Sequence, residues 1–194
     1  MNWEDTFRGW SQGPSDAEHQ RCENTERIIC DALNSDRELS KMNLSVFAQG
    51  SFKARTNVRQ DSDVDICILH ANQIFHDAPA GATDTDLGLV DRQLNYATFK
   101  NMVEQALVKK FGREQVTRGK KAFDVHANSY RVDADVIPAF TYRWYSEKPG
   151  GGYGFNSGIA FIPDDSYTRI INWPKQTYDN GVVKTTQPHV GTNG

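Results

Sequence analysis

The residues most able to do chemistry sit in the run Asp63-Val-Asp-Ile-Cys-Ile-Leu69. Side chains alternate across a strand, so Val64, Ile66 and Ile68 share one face while Asp63 and Asp65 share the other. Neighbouring carboxylates repel. The pairing makes sense around a hard divalent cation such as Mg2+, which takes oxygen ligands and bridges to substrate phosphates. Just upstream, Phe47-Ala-Gln-Gly-Ser-Phe52 reads as a strand ending in a Gly50-Ser51 turn, whose backbone N–H groups and hydroxyl suit a phosphate. The plainer readings are a solvated acidic strand and an ordinary turn. Asp is disfavoured inside strands, which weighs for the metal.

More carboxylates come from a separate stretch. Lys121 to Ala127 and Tyr130 to Val136 alternate and are joined by Asn128-Ser129, which predicts a hairpin. In its second arm Tyr130, Val132, Ala134 and Val136 face one way, and Arg131, Asp133 and Asp135 face the other.

The elements that must carry these residues follow from periodicity. A polar lead with Trp3, Phe7 and Trp10 is expected to form a short docking helix before Gly13-Pro14 breaks it. Ser15-Asp-Ala-Glu18 has the form of a capping box opening a helix to about Asn34, with Cys22, Thr25, Ile28, Ile29, Ala32 and Leu33 as its inner stripe. A charged connection, Ser35 to Lys41, leads to a first strand over Asn43–Gln49 with Leu44 and Val46 inward. Residues 71–87 read as a surface loop. A second helix is expected from Asp91 to Phe111, placing Leu94, Ala97, Phe99, Val103, Ala106, Leu107 and Val108 inside, with Gly112 as its C-terminal cap. Pro149 to Gly154 reads as a flexible link, residues 158–162 and 169–173 as a hairpin, and residues 185–194 as a disordered tail.

With 194 residues the chain suits one domain, or one domain and part of another. Its 22 basic and 25 acidic residues leave a net charge of −3, so no basic field supports activation by nucleic acid. Cys22, Cys30 and Cys67 form no Cys-x-x-Cys and read as reduced thiols. His19, His70, His76, His126 and His189 show no metal-ligand spacing and are assigned surface or core roles. No signal-peptide pattern or membrane-length apolar run is present, so a cytoplasmic protein without a membrane partner is expected.

Gly50-Ser51, Asp63-Val-Asp65 and one more Asp on a later strand together resemble the signature of the polymerase beta-like nucleotidyltransferase superfamily. Within it, Gln49-Gly-Ser-Phe52, Asp61-Ser-Asp-Val-Asp-Ile66, Arg131-Val-Asp-Ala-Asp-Val-Ile-Pro-Ala-Phe140 and Ile171-Asn-Trp-Pro-Lys-Gln176 resemble the bacterial cGAS-like CD-NTases, over residues 44 to 184. The resemblance implies an α/β (α+β) palm with a mixed, mostly antiparallel sheet backed by two long helices, the first serving as a spine behind the active site. It implies an enzyme that joins NTPs, ATP among them, into a cyclic di- or oligonucleotide messenger for antiphage signalling of the CBASS type. Asp135 matches the third carboxylate and Asp133 is its neighbour on the same face. Asp63, Asp65 and Asp135 would hold two Mg2+ ions, or Mn2+ in their place.

Gly50, Ser51, Gln49 and Ser62 are then the nucleotide-binding candidates, with Lys53, Arg55 and Arg59 able to neutralise phosphate or merely to solvate a loop. Asn172 suits a base edge or a turn. Trp173 suits a stacked base or the core. The nucleotidyltransferase core is expected over residues 1–184. Family members continue into a helical second half, and this chain stops where that half begins, so a partner half or regulatory protein is expected. Two other readings stay open: transfer of a single nucleotide to RNA, protein or a small molecule, and a non-catalytic nucleotide-binding module.

Overall fold

A computed structural model describes residues 16–49, 63–90 and 94–173. The N-terminal lead, Ser15 of the capping box and the tail lie outside these residues.

Helix α1, Asp16–Asn34, buries Cys22, Thr25, Ile29, Ala32 and Leu33, close to the expected stripe. Burying side chains such as Ile29 and Leu33 contributes ~2 kcal/mol each. Helix α2 runs from Tyr96 to Phe111. It begins later than the sequence suggests because the Asn95 side chain accepts the Ala97 N–H and caps it there. Gly112 closes it at φ 87°, where its N–H donates to the Val108 carbonyl. Ala97 is exposed, whereas Tyr96 and Lys100 join the buried face.

Among the described residues seven strands form one sheet: β1 Leu44–Ala48, β2 Val64–Asp77, β3 Val116–Arg118, β4 Phe123–Val125, β5 Ala134–Glu147, β6 Tyr153–Phe161 and β7 Ile170–Asn172. Their order is β1-β2-β5-β4-β3, and β6 and β7 extend from the outer part of β5. Only β2 and β5 pair in parallel; the other described pairs are antiparallel, as expected. Both helices pack on one face, where Ile29, Leu33, Phe99, Val103, Leu107, Val64, Ile66, Ile68, Phe123 and Val136 make the main core.

Three expectations are corrected. The loop over 71–87 is strand as far as Asp77, because β2 continues beyond a bulge between His70 and Ile74 that absorbs the polar Ala71-Asn-Gln73. The glycine-rich link at 149–154 is the turn of the β5–β6 hairpin, with Gly150, Gly151 and Gly152 at φ 96°, 97° and 75°. Finally, 130–133 is loop, so strict alternation fails there. Tyr130 is 46% exposed, while Arg131 is 6% exposed. The 158–162/169–173 hairpin is present as β6 and β7.

Candidate functional site

Two strands that start side by side bring the acids together. In the parallel ladder Val64 pairs with Ala134 and Asp65 with Asp135. Val64 and Ala134 are buried on the helix side, which turns Asp65 and Asp135 to the opposite face. Asp63 stands one residue before β2. The β4–β5 ladder adds a residue the sequence reading passed over: Asp124 pairs with Asp135 from the other side. Strands lie about 4.8 Å apart, so Asp65, Asp135 and Asp124 form a row roughly 10 Å wide. Phe123-Asp-Val125 carries the same apolar–acid–apolar alternation as Val64-Asp-Ile66, the signal that could have found it.

The row is electrostatically strained. Partial desolvation raises the Asp135 carboxyl above its ordinary value, and the negative charges of Asp65, Asp124 and Asp63 raise it further. A cation on this face would relieve that repulsion.

Beside the row, Asp124, His126 and Asp133 place ligand atoms within 4.8 Å of one another. His126 Nδ1 lies 3.4 Å from Asp124, and its Nε2 lies 3.2 Å from Thr117 Oγ1. Sequence spacing gave no hint of this group, because the β3–β4–β5 pairing assembles it. Asp133 has a structural task as well, since its Oδ1 accepts the Ala127 N–H at 2.6 Å and closes the β4–β5 loop.

Of the nucleotide-binding candidates, Gly50, Ser51 and Ser62 lie outside the described residues, as do Lys53, Arg55 and Arg59. Gln49 follows β1, and its backbone N–H donates to the Asp65 carbonyl at 2.7 Å. Its side-chain Nε2 is buried, and the Gln49 amide is turned to the Cys67 sulfur as a donor. The nearby Cys67 thiol is pushed up to about 12, chiefly by burial.

Asn172 pairs with Ile159, and Ile159 with Thr141, six residues beyond Asp135 on β5. That separation is ~20 Å along the strand, so the structure does not bring Asn172 to the carboxylates. Trp173 packs edge-on against Tyr142 at 5.6 Å. A Cβ at Gly158 would meet the Asn172 carbonyl at 2.7 Å and the Trp173 ring at 2.9 Å, so this close approach requires glycine. Packing is therefore Trp173's observed role.

A cavity of about 490 Å³ lies between the start of α2 and the β6–β7 connection, lined in part by Phe75, Tyr96, Phe140 and Tyr167. None of the clustered acids lines it. The carboxylate row, where charge and register coincide, is the better candidate for chemistry.

No protein-family model matches the chain. It is 47% identical over 186 residues to the cyclic dipyrimidine nucleotide synthase CdnE of Legionella pneumophila, covering 95% of this chain and 62% of that protein. It is 40% identical over 181 residues to the cyclic dipyrimidine nucleotide synthase CdnE of Cecembia lonarensis, covering 93% and 60%. The solved Rhodothermus marinus CdnE c-UMP-AMP synthase with Apcpp and Upnpp superposes with a TM-score of 0.78 at 28% identity, over 95% of this chain and 61% of that one. The chain thus spans about six-tenths of the length of the relatives it matches. The mixed sheet with two helices matches the nucleotidyltransferase palm. Among the described residues no helix is long and apolar enough to cross a membrane.

Proposed function

Since the chain belongs to the CD-NTase family, we propose that it carries the nucleotidyltransferase site of an enzyme that joins two ribonucleoside triphosphates into a cyclic dinucleotide. Pyrimidine nucleotides are among its substrates on this reading, which the names of the two relatives at 47% and 40% identity support. The observation that carries the reading is the pairing of Asp65 with Asp135 on one face, where partial desolvation and then like charge push the Asp135 carboxyl up.

A set of carboxylate oxygens drawn from two strands is the donor chemistry Mg2+ or Mn2+ takes. Asp63, Asp65 and Asp135 would hold two such ions. When bound, they neutralise triphosphate charge and acidify the attacking ribose hydroxyl. Asp135 is also the side chain assigned to receive the proton of that hydroxyl. Gln49 is assigned to a phosphate oxygen on its place directly after β1. Gly50, Ser51 and Ser62 are assigned to the triphosphate on their spacing. Asn172, distant from the carboxylates, is assigned to the nucleoside end. The cytoplasm, antiphage signalling and a helical second half complete the reading.

The test supplies all four NTPs with Mg2+ to this chain, and to the same chain extended to the relatives' length. A phosphatase-resistant cyclic product containing a pyrimidine supports the proposal. Linear product, or a nucleotide linked to RNA or protein, favours transfer of a single nucleotide. NTP binding with no pyrophosphate release in either form leaves a nucleotide-binding module.

A further inference from the structure

Thr25 is a polar residue in the apolar stripe of α1 and has no exposed surface. Burying a hydroxyl is unfavourable unless its hydrogen bonds are made, and here two are. Its Oγ1 donates to the Arg21 carbonyl at 2.8 Å, within the helix, and accepts the Val132 N–H at 3.2 Å, across to the β4–β5 loop. The next residue, Asp133, gives its carbonyl to the Val64 N–H at 3.0 Å, where β2 begins. Two residues later the chain reaches Asp135. The backbone is therefore pinned to a helix on one side and to the other acidic strand on the next, immediately before the third carboxylate.

The loop around this tie is closed by further bonds. Arg131 Nε donates to the His126 carbonyl at 2.9 Å, and its guanidinium lies 4.7 Å from the centre of the Phe111 ring. Asn128 Oδ1 accepts the N–H groups of Tyr130 and Arg131 at 2.9 and 3.0 Å. The Asn128 and His126 bonds shape the loop internally, while Arg131 also rests on Phe111 of α2 and donates to Gln115 Oε1 at 3.4 Å. Among the bonds described, those from α1 to the loop come from Thr25, Asn24 and Arg27, and the latter two end on the half-exposed Tyr130.

We infer that Thr25 is a positioning residue: through the Val132 N–H it fixes where β5 joins the sheet, and so holds Asp135 level with Asp65 for the cation. The inference rests on the metal-site reading proposed above. A hydroxyl group is required there rather than bulk, so Ser should substitute and the near-isosteric Val should not.

The experiment titrates Mn2+ into this chain and follows free Mn2+ by electron paramagnetic resonance, alongside thermal melts, for the unaltered protein and for Thr25→Val, Thr25→Ser, Ile29→Val and Asp135→Asn. Removing a residue that orients a metal ligand costs ~10-fold or more in affinity. Thr25→Val is expected to bind Mn2+ ~10-fold more weakly, with Thr25→Ser within about twofold of the unaltered chain. Ile29→Val lowers the melting temperature without moving Mn2+ affinity. Equal affinity for Thr25→Val and the unaltered chain overturns the inference while leaving the metal site intact, provided Asp135→Asn binds weakly. Undiminished binding by Asp135→Asn overturns the metal-site reading and the inference with it. Hydrogen exchange on the unaltered chain reads the same coupling should Thr25→Val not fold. Linkage is reciprocal, so Mn2+ slows exchange at the Val132 amide if the inference holds, and unchanged exchange overturns it.

Discussion

Carboxylates on the two sides of the sheet live under opposite electrostatics. Near α2, Asp164 accepts from Arg118 Nε at 2.7 Å and from Lys100 Nζ at 2.9 Å, and Arg118 also reaches Glu104. Arg118 and Lys100 hold the Asp164 carboxyl below its ordinary value despite partial burial. Glu104 is also lowered: burial pushes it up, but Arg113 and Arg118 outweigh that. At the far end of β2, Asp77 is lowered by the Tyr142 hydroxyl and by Arg169. Among the described carboxyls with a clear shift, Asp135 alone moves upward. The lesson is that this fold can pair its acids and does so elsewhere. Where acids face one another instead, the arrangement is the one the proposed cation would complete.

The largest test of that contrast replaces Asp135 with Asn. Mn2+ binding should weaken by more than ~100-fold, since a direct ligand outweighs an orienting one, and nucleotide joining should vanish; resonance titration and pyrophosphate release measure the two. On the paired side, Asp164→Asn leaves the ammonium of Lys100, which has no exposed surface, with the Lys120 carbonyl at 2.8 Å. With Asp164 36% exposed, breaking this pair should cost on the order of 1–2 kcal/mol of stability, read by urea unfolding, with little change in Mn2+ affinity. A loss of metal binding equal to that of Asp135→Asn would merge the two regions and break the contrast. Asp124→Asn should lower Mn2+ affinity by ~10-fold, if Asp124 lends charge without holding the ion directly. The smallest effect belongs to Tyr142→Phe, which removes a 2.6 Å hydrogen bond to Asp77. It should cost ~1 kcal/mol in the same unfolding assay.

Acidity offers a further separation. A raised carboxyl favours the folded state when protonated, so Asp135 adds stability at low pH that is lost as pH rises through its folded value. Asp164 and Asp77 behave oppositely: their contribution is present above the unfolded carboxylate range and is lost as pH falls through their lowered values. Metal binding competes with the proton on Asp135, so Mn2+ affinity should climb across the acidic range and binding should release protons. Calorimetry in two buffers of different ionisation enthalpy counts those protons; none released at acidic pH would remove Asp135 from the ligand set.

Much of the fold was legible because its signals are local. The stripe Cys22, Thr25, Ile29, Ala32 and Leu33 is a helical period, and the Asp63–Leu69 alternation is a strand period. Asp65 and Asp135 could be brought together only through a familiar motif order, since a parallel pairing between stretches 70 residues apart leaves no local trace. Asp124 went unread although its strand was expected within Lys121–Ala127, because a single acid in an alternating strand is equally the mark of a solvated face. The reach of β2 to Asp77 was hidden by the polar bulge, which looks like a loop when periodicity is the guide. Lys100 was passed over for a related reason. A lysine reads as surface until its partners, Asp164 and the Lys120 carbonyl, are folded around it.

The bulge between His70 and Ile74 also divides β2 mechanically. Its three surplus residues give the outer segment, Ile74 to Asp77, a phase against β5 independent of the inner one that ends at His70. The Gly150–Gly152 tip joins β5, which runs without a bulge back to Asp135, so a pull there travels to that carboxylate while the bulge stands between it and Asp65. A reporter anchored at that tip accordingly reads the Asp135 strand and not the Asp65 strand.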